Sequence, residues 1–267
     1  MSENPVFTQI IEKSLSSFIR INPIAVEDDV SPTASKFLGI PYISSLENYP
    51  RSSDDRPMML MAQINFDEIS AQGIRLPDYP TTGLLQFFCQ ADDIWGLDGD
   101  MKVIYHETYD LPSLMDDEID EVLEYAEAPM SQVHRLEFSL AQEYCGFADV
   151  QEQTSLYHSQ SQWQALSAEE KEAFFEQLLD EDENGFLKID NGGSKLGGFA
   201  FFTQDDIRAY PSDAQGQGQR LLFQIDSNND TTDDICWGDG GVANWFIRVE
   251  DLKNKDFSQV FFNWDCY

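Results

Sequence analysis

The sequence predicts an α+β fold in which two similar, largely antiparallel β-sheet halves share one core, with helices at the periphery. Aromatic and β-branched blocks recur with the length and separation of strands. Three of these blocks occur twice in the same order, and helical patterns lie only at the N-terminus and between the copies. We therefore expect a single domain over residues 1–267, with approximate halves at 31–110 and 192–267.

The composition is that of a folded cytoplasmic protein. Of 267 residues, 42% are hydrophobic and 13% aromatic, which is enough for a packed core. No apolar run is long enough to cross a bilayer, and the N-terminus lacks the basic and apolar regions of a secretory signal. The cysteines are scattered without a C-x-x-C pair, which favours reduced thiols. They are Cys89, Cys145, Cys236 and Cys266.

Charge is the strongest compositional signal. There are 49 Asp and Glu against 16 Lys and Arg, for a formal net charge of -33. Such a surface repels phosphate backbones, so we expect no nucleic-acid partner, and we expect no membrane association. The same charge attracts a basic protein or peptide. Solvation of the surface alone is the alternative explanation.

An N-terminal helix is predicted over residues 4–20. Asn4 is a suitable cap, and Pro5 suits the first helical position. Apolar side chains then recur on one helical face, at Phe7, Ile10, Ile11, Leu15 and Phe18.

Strands are predicted in both halves from short apolar runs, typical of buried strands, that are bounded by Gly, Pro, Asp and Ser. In the first half they cover Met58–Phe66, Gly83–Cys89 and Lys102–Glu107. In the second half they cover Lys195–Phe202, Arg220–Asp226, Val242–Val249 and Gln259–Asp265.

Residues 111–191 form a helical and acidic insert between the halves. Ser113–Ala128 has the pattern of an acidic amphipathic helix, and Val133–Leu140 that of a strand. Ser167 and Glu170 form a capping box that begins a second helix.

The repeated blocks indicate an internal duplication. "SKFLG" at Ser35 is echoed by "SKLGG" at Ser194, "LMAQIN" by "LLFQID", and "GLLQFF" by "GVANWF". Each half alone would expose a sheet edge and an apolar face, so two halves are expected to join in one fused core.

Seven residues near the expected seam between the halves are candidates for ligand binding: Lys36, Lys195, Gln63, Gln224, Trp237, Asp239 and Asn244. A glutamine inside an apolar strand either holds a loop of its own half or contacts a ligand. The lysines either lie on the surface or pair with a carboxylate such as Asp98 or Asp239. Tryptophan beside polar side chains suits a peptide or small ligand, although core packing is its default role.

One segment resembles a calcium-binding loop. Asp180, Asp182 and Asn184 stand at its first, third and fifth positions, but Asn191 replaces the bidentate glutamate at the twelfth. Only weak calcium binding is compatible with this set, so no cofactor is predicted. The Asp-rich segment 226–241 is better explained by turns in which Asp and Asn bond their own backbone.

No catalytic residue is predicted. The sequence has no G-x-S-x-G elbow, P-loop or dinucleotide fingerprint, and the three histidines are dispersed. We therefore favour a non-enzymatic protein that binds a protein or peptide in a chaperone-like manner. The alternatives are a small-molecule hydrolase or metal-dependent enzyme that uses the Asp-rich loops, and a toxin-neutralising immunity protein.

Several blocks resemble the bacterial YwqG-like family, among them "SKFLGIPYI", "LLFQIDS", "WGDGGVANWFI" and "NWDCY". The resemblance covers nearly the whole chain, except that residues 130–183 align little and Ala200 replaces a common proline. It implies a cytoplasmic α+β protein with a duplicated core and no established activity. More remotely, the pattern is similar to the programmed-cell-death-two proteins, which act as dedicated chaperones for a basic ribosomal protein. That similarity implies protein binding.

Overall fold

The computed structural model describes residues 4–27, 30–92, 94–97, 100–114, 128–146, 160–179, 189–209, 219–227 and 235–267. Ten strands in this part of the chain form one sheet. They are β1 (Ser16–Val26), β2 (Lys36–Phe37), β3 (Met58–Asn65), β4 (Leu84–Gln90), β5 (Met101–His106), β6 (Val133–Glu143), β7 (Lys195–Gly197), β8 (Gln219–Asp226), β9 (Val242–Arg248) and β10 (Phe261–Asp265).

The strand order is β10-β9-β8-β7-β1-β6-β2-β3-β4-β5, and every neighbouring pair is antiparallel. Five short α-helices among the described residues accompany the sheet: α1 (Pro5–Glu12), α2 (Phe66–Ala71), α3 (Ser161–Ala165), α4 (Ala168–Leu178) and α5 (Val249–Lys253). The prediction of an α+β fold with a largely antiparallel sheet is confirmed.

The sheet curls so that its two ends share one core. Phe87 on β4 lies 4.6 Å from Phe223 on β8 and 5.4 Å from Trp245 on β9, measured between ring centroids. In a flat sheet β4 and β8 would be about 29 Å apart, at about 4.8 Å per strand. The large aromatic side chains of both ends therefore close the interior between them, and all three rings are fully buried.

The predicted N-terminal helix over residues 4–20 is too long. Asn4 caps the helix as expected, because its side chain accepts the Val6 N–H at 3.0 Å. The helix ends at Glu12, and Phe18 lies on β1 instead. The apolar spacing around Phe18 is compatible with either a helix or a strand. The segment forms a strand because β1 pairs with β6 along its full length.

The predicted insert at 111–191 is not wholly peripheral. Its strand, β6, pairs with all of β1 from Ser16↔Glu143 to Val26↔Val133 and stands in the middle of the sheet. The helix with the capping box is confirmed as α4, with both bonds present between Ser167 and Glu170. Most of the predicted acidic helix lies outside the described residues.

The predicted strand Lys195–Phe202 is also too long, since β7 ends at Gly197. Gly197 and Gly198 have φ values of 70° and 76°, which turn the chain out of the sheet. The same turn ends β2, where Leu38 and Gly39 have φ values of 55° and 74°.

Two parts of the sheet have the same register. Lys36 on β2 lies opposite Gln63 on β3, and Lys195 on β7 lies opposite Gln224 on β8. The pairing of β3 with β4 shifts between Leu60 and Ala62, and that of β8 with β9 shifts between Leu221 and Phe223. The bulge therefore falls at the same distance before each glutamine.

Candidate binding site

Gln63 fastens two loops to the first end of the sheet. Its Oε1 accepts the Tyr42 N–H at 2.9 Å, and its Nε2 donates to the carbonyls of Pro32 and Ala34 at 2.7 and 2.8 Å. Gln86 on β4 also donates to Gln63 Oε1, at 2.8 Å. The amide is fully buried and satisfied by protein groups, so it has a structural role.

Gln224 makes the corresponding bonds at the other end of the sheet. Its Oε1 accepts the Phe201 N–H at 2.9 Å, and its Nε2 donates to the carbonyls of Asn191 and Gly193 at 3.0 and 2.8 Å. Asn244 on β9 donates to the Phe201 carbonyl at 2.8 Å. The Gln224 amide is also fully buried, which favours a role in holding these loops over a role in ligand binding.

Both candidate lysines are fully buried. Lys195 forms an ion pair with Glu143 on β6, with Nζ 2.9 and 3.0 Å from the two carboxylate oxygens. Lys195 is therefore a buried lysine paired with a carboxylate, and that carboxylate is Glu143. Lys36 donates to the Ser31 carbonyl at 2.9 Å. Of the two carboxylates suggested as examples for these lysines, Asp98 lies outside the described residues and Asp239 is exposed.

Trp237 is fully buried, where its ring packs against Trp95 and Trp264 at centroid distances of 5.6 and 6.0 Å. Asp239 is exposed. Of the seven candidates, only this side chain is accessible to a ligand on the surface as it stands. The other six side chains are buried.

Of the calcium-like set, Asp180, Asp182 and Asn184 lie outside the described residues. Asn191, at the twelfth position, is described and already engaged. Its Oδ1 accepts the Gly146 N–H at 2.8 Å, and its Nδ2 donates to the Tyr144 carbonyl at 2.9 Å. Among the described residues, His, Cys, Asp and Glu form no group of three or more that could hold a metal ion.

None of the seven candidates lines either of two clefts formed by described residues. The first, which we call the methionine cleft, has a volume of about 200 Å³. Its walls are Leu38, Gly39, Pro57, Met58, Met59, Leu60, Ala91, Ala128, Ser131, Gln132 and Val133. Most of these side chains are apolar, so the cleft suits an apolar group.

The methionine cleft exists because β2 is so short. The chain leaves the sheet after Phe37, so the first residues of β3 extend past the end of β2 without a strand between them and β6. At Gly39 an added Cβ would stand 3.2 Å from both Val133 methyl groups, and φ there is positive. Glycine therefore permits the close turn at the rim of the cleft.

The floor of the methionine cleft is fixed by the backbone of Met58. Its N–H donates to the Pro50 carbonyl at 2.9 Å, and its carbonyl accepts the Tyr49 hydroxyl at 3.0 Å. The side chains of Met58, Met59 and Leu60 are less than a tenth exposed. Methionine is flexible and polarizable, so these walls can adapt to the shape of a bound group.

The second cleft, which we call the polar cleft, has a volume of about 210 Å³. It lies where β1 meets the segment before β7 and the end of β8, with Arg20 and Asp226 among its lining residues. Asp226 accepts the Gly193 N–H. Burial raises the pKa of Asp226, and the negative charge of Asp190 raises it further, while the Gly193 bond and Lys195 oppose the shift.

These features define an α+β protein with one curled antiparallel sheet and an apolar cleft beside a short strand. The chain belongs to the family described as "Domain of unknown function (DUF1963)", whose profile matches residues 35–266. No curated protein matches the chain. No helix among the described residues has the length and apolar character needed to span a membrane.

Sequence reasoning missed the methionine cleft. The available signal was "PMMLM" at Pro57–Met61, where three methionines occur in a strand beginning directly after a proline. Methionine is common at adaptable binding surfaces, so this run could have been weighed as a site instead of as core alone.

Proposed function

We propose that this chain is a non-enzymatic, peptide-binding protein that receives a basic partner in the methionine cleft. The observation that carries the proposal is an open apolar cleft of about 200 Å³ on a chain with a net charge of -33. The apolar walls would supply affinity, and the charge would attract and orient a basic segment.

The sequence around the cleft supports a basic partner. Asp92 directly follows Ala91. Asp54 and Asp55, which lie before Pro57, are already paired with Arg56 and Arg51, so they add little to this support. Ala128, another lining residue, follows an acidic stretch in the sequence. The acids of that stretch are Asp116, Asp117, Glu118, Asp120, Glu121, Glu124 and Glu127.

We also infer that the two ends of the sheet arose by internal duplication. The support is the match of hydrogen bonds: Gln63 binds Tyr42, Pro32 and Ala34 as Gln224 binds Phe201, Asn191 and Gly193. Within the family, the blocks quoted above favour the YwqG-like group. The four free cysteines favour a cytoplasmic protein.

The proposed function is tested by the binding of two fluorescent peptides with equal apolar content, one rich in lysine and one rich in glutamate. We expect the lysine-rich peptide alone to bind, with a dissociation constant that rises as salt is added, because salt screens the attraction. Equal binding of both peptides, or binding of neither, would overturn the proposal. Fluorescence anisotropy measures both dissociation constants.

A further inference from the structure

Two of the four cysteines lie against the same glycine. The Cys236 thiol donates to the Gly238 carbonyl, with Sγ 3.4 Å from the oxygen. An added Cβ at Gly238 would stand 2.7 Å from Cys266 Sγ and 3.0 Å from Cys266 Cβ. Both sulfur atoms are therefore in contact with a residue that has no side chain to separate them.

The backbone on both sides of the pair is held in place. The Cys236 N–H donates to the Pro129 carbonyl at 2.6 Å, and the Gly241 N–H donates to the Trp237 carbonyl at 2.7 Å. The turn between these residues packs against the end of β10, since an added Cβ at Gly241 would stand 2.7 Å from Cys266 Cβ. The fold itself therefore brings the two thiols together.

Access distinguishes this pair from the other two cysteines. Cys236 is exposed and Cys266 partly exposed, whereas Cys89 and Cys145 are buried. Thiol–disulfide exchange requires an accessible thiolate. A small-molecule disulfide in solution can therefore reach the pair in the native protein, while the buried thiols are shielded. Once one thiol of the pair has reacted, the other is a neighbouring nucleophile at high effective concentration.

We propose that Cys236 and Cys266 are a redox-active thiol pair, which a disulfide of the glutathione type converts reversibly into an intramolecular disulfide. One cysteine thiolate attacks the small disulfide, forms a mixed disulfide and releases half of the small molecule as a thiolate. The second cysteine thiolate attacks the protein sulfur of this mixed disulfide, and the other half leaves. The cysteines lose two electrons and two protons, and the small disulfide is reduced to two thiols. This inference does not depend on peptide binding.

The disulfide would lock the last strand of the sheet. β10 stands at one end of the strand order, and among the described strands it pairs with β9 alone. The link between Cys236 and Cys266 encloses both strands, so it restricts the unfolded chain over a loop of about 30 residues. We expect the oxidised protein to unfold at a higher urea concentration than the reduced protein.

The test treats the native, fully reduced chain with oxidised glutathione. We expect both accessible thiols to be lost together, the mass to fall by two hydrogen atoms, and peptide mapping to find Cys236 joined to Cys266. Dithiothreitol should restore both thiols. Protein that carries glutathione on each cysteine without an internal link, protein that forms linked dimers, or protein that stays reduced would each overturn the proposal.

Single variants identify the partners. Cys236→Ser and Cys266→Ser should each stop at the mixed disulfide, heavier by one glutathione, whereas the control Cys89→Ala should form the internal link like the parent. An internal disulfide in either serine variant would show that a buried cysteine reacts, and it would overturn the pairing. Circular dichroism verifies that the variants are folded. Equal urea midpoints for the oxidised and reduced parent would overturn the locking of β10.

Discussion

Gln63 and Gln224 occupy the same position at the two ends of one sheet, each directly opposite a buried lysine on a short strand. Each glutamine accepts one backbone N–H and donates to two backbone carbonyls of loops in its own half. Each amide therefore joins the segment that enters the short strand to the segment that leaves it.

Replacing either glutamine with leucine should therefore destabilise the protein to a similar extent. Gln63→Leu leaves the Tyr42 N–H and the carbonyls of Pro32 and Ala34 without their side-chain partner. We expect a loss of about 3 kcal/mol in the free energy of unfolding, and the same for Gln224→Leu. Urea denaturation followed by circular dichroism measures both, with the exposed Gln72→Leu as control. A loss below about 1 kcal/mol at either position would contradict the role given to that amide.

The buried pair of Lys195 and Glu143 should behave as a coupled unit. Lys195→Met leaves the Glu143 carboxylate, whose side chain is 9% exposed, without its cation, and we expect a loss of about 3–5 kcal/mol. Adding Glu143→Gln removes the second charge and keeps an acceptor for the Phe199 N–H, which now donates to Glu143 at 2.7 Å. The double variant should regain about half of the loss. Additive losses in the denaturation midpoint would refute the coupling.

Asp265 should make the stability of the fold depend on pH. Its Oδ1 accepts both the N–H and the hydroxyl of Thr203, at 2.8 and 2.6 Å. Within the described part of the chain its buried Oδ2 has no hydrogen-bond partner. Burial raises the pKa of Asp265 above the usual value of an aspartate, and the negative charge of Asp206 adds to this shift.

Because the folded-state pKa is raised, the contribution of Asp265 to stability is fully present below the unfolded pKa, about 3.9. It is lost as the pH rises through the folded pKa. Asp265→Asn cannot ionise and still accepts from Thr203, so it should be more stable than the parent at pH 7. This advantage should shrink toward pH 4. Denaturation midpoints across this pH range measure the difference, and a difference independent of pH would count against the assignment.

The thiols should fall into two classes of reactivity. Cys236 is exposed and Cys266 partly exposed, whereas Cys89 and Cys145 are buried. Burial raises the pKa of the Cys89 thiol, and the charge of Asp92 raises it further, so little thiolate forms there. Ellman's reagent should titrate Cys236 and Cys266 rapidly in the native protein and the other two only after denaturation. Rapid reaction of all four thiols in the native state would contradict this burial.

The strands with buried faces could be predicted from sequence because their composition is unambiguous. The blocks containing Gln63, Gln86, Gln224 and Asn244 are apolar on both sides of the polar residue, and each forms a strand close to the predicted range. Strand β1 is harder to predict from the sequence. "FIRINPIAV" contains Asn22-Pro23, which indicates a turn, yet Pro23 pairs with Leu136 in the ladder.

The candidate site could not be predicted from composition, because it depends on a gap between strands that are distant in sequence. Met58 and Val133 line one cleft only because β2 stops after Phe37, and β6 enters the sheet from the presumed insert. Lys195 and Glu143 are likewise brought together by pairing across the middle of the sheet. The sequence shows a lysine within an apolar segment, but it does not show which carboxylate pairs with that lysine.

The most direct test of peptide binding in the methionine cleft is methyl NMR. The chain has seven methionines, of which Met58 and Met59 line the cleft. In protein labelled with ¹³C at the methionine methyl groups, single Met→Leu variants assign the signals. Addition of the lysine-rich peptide should then shift the Met58 and Met59 resonances while that of Met101 on β5 stays in place. Unchanged Met58 and Met59 resonances at saturating peptide would contradict the proposed site.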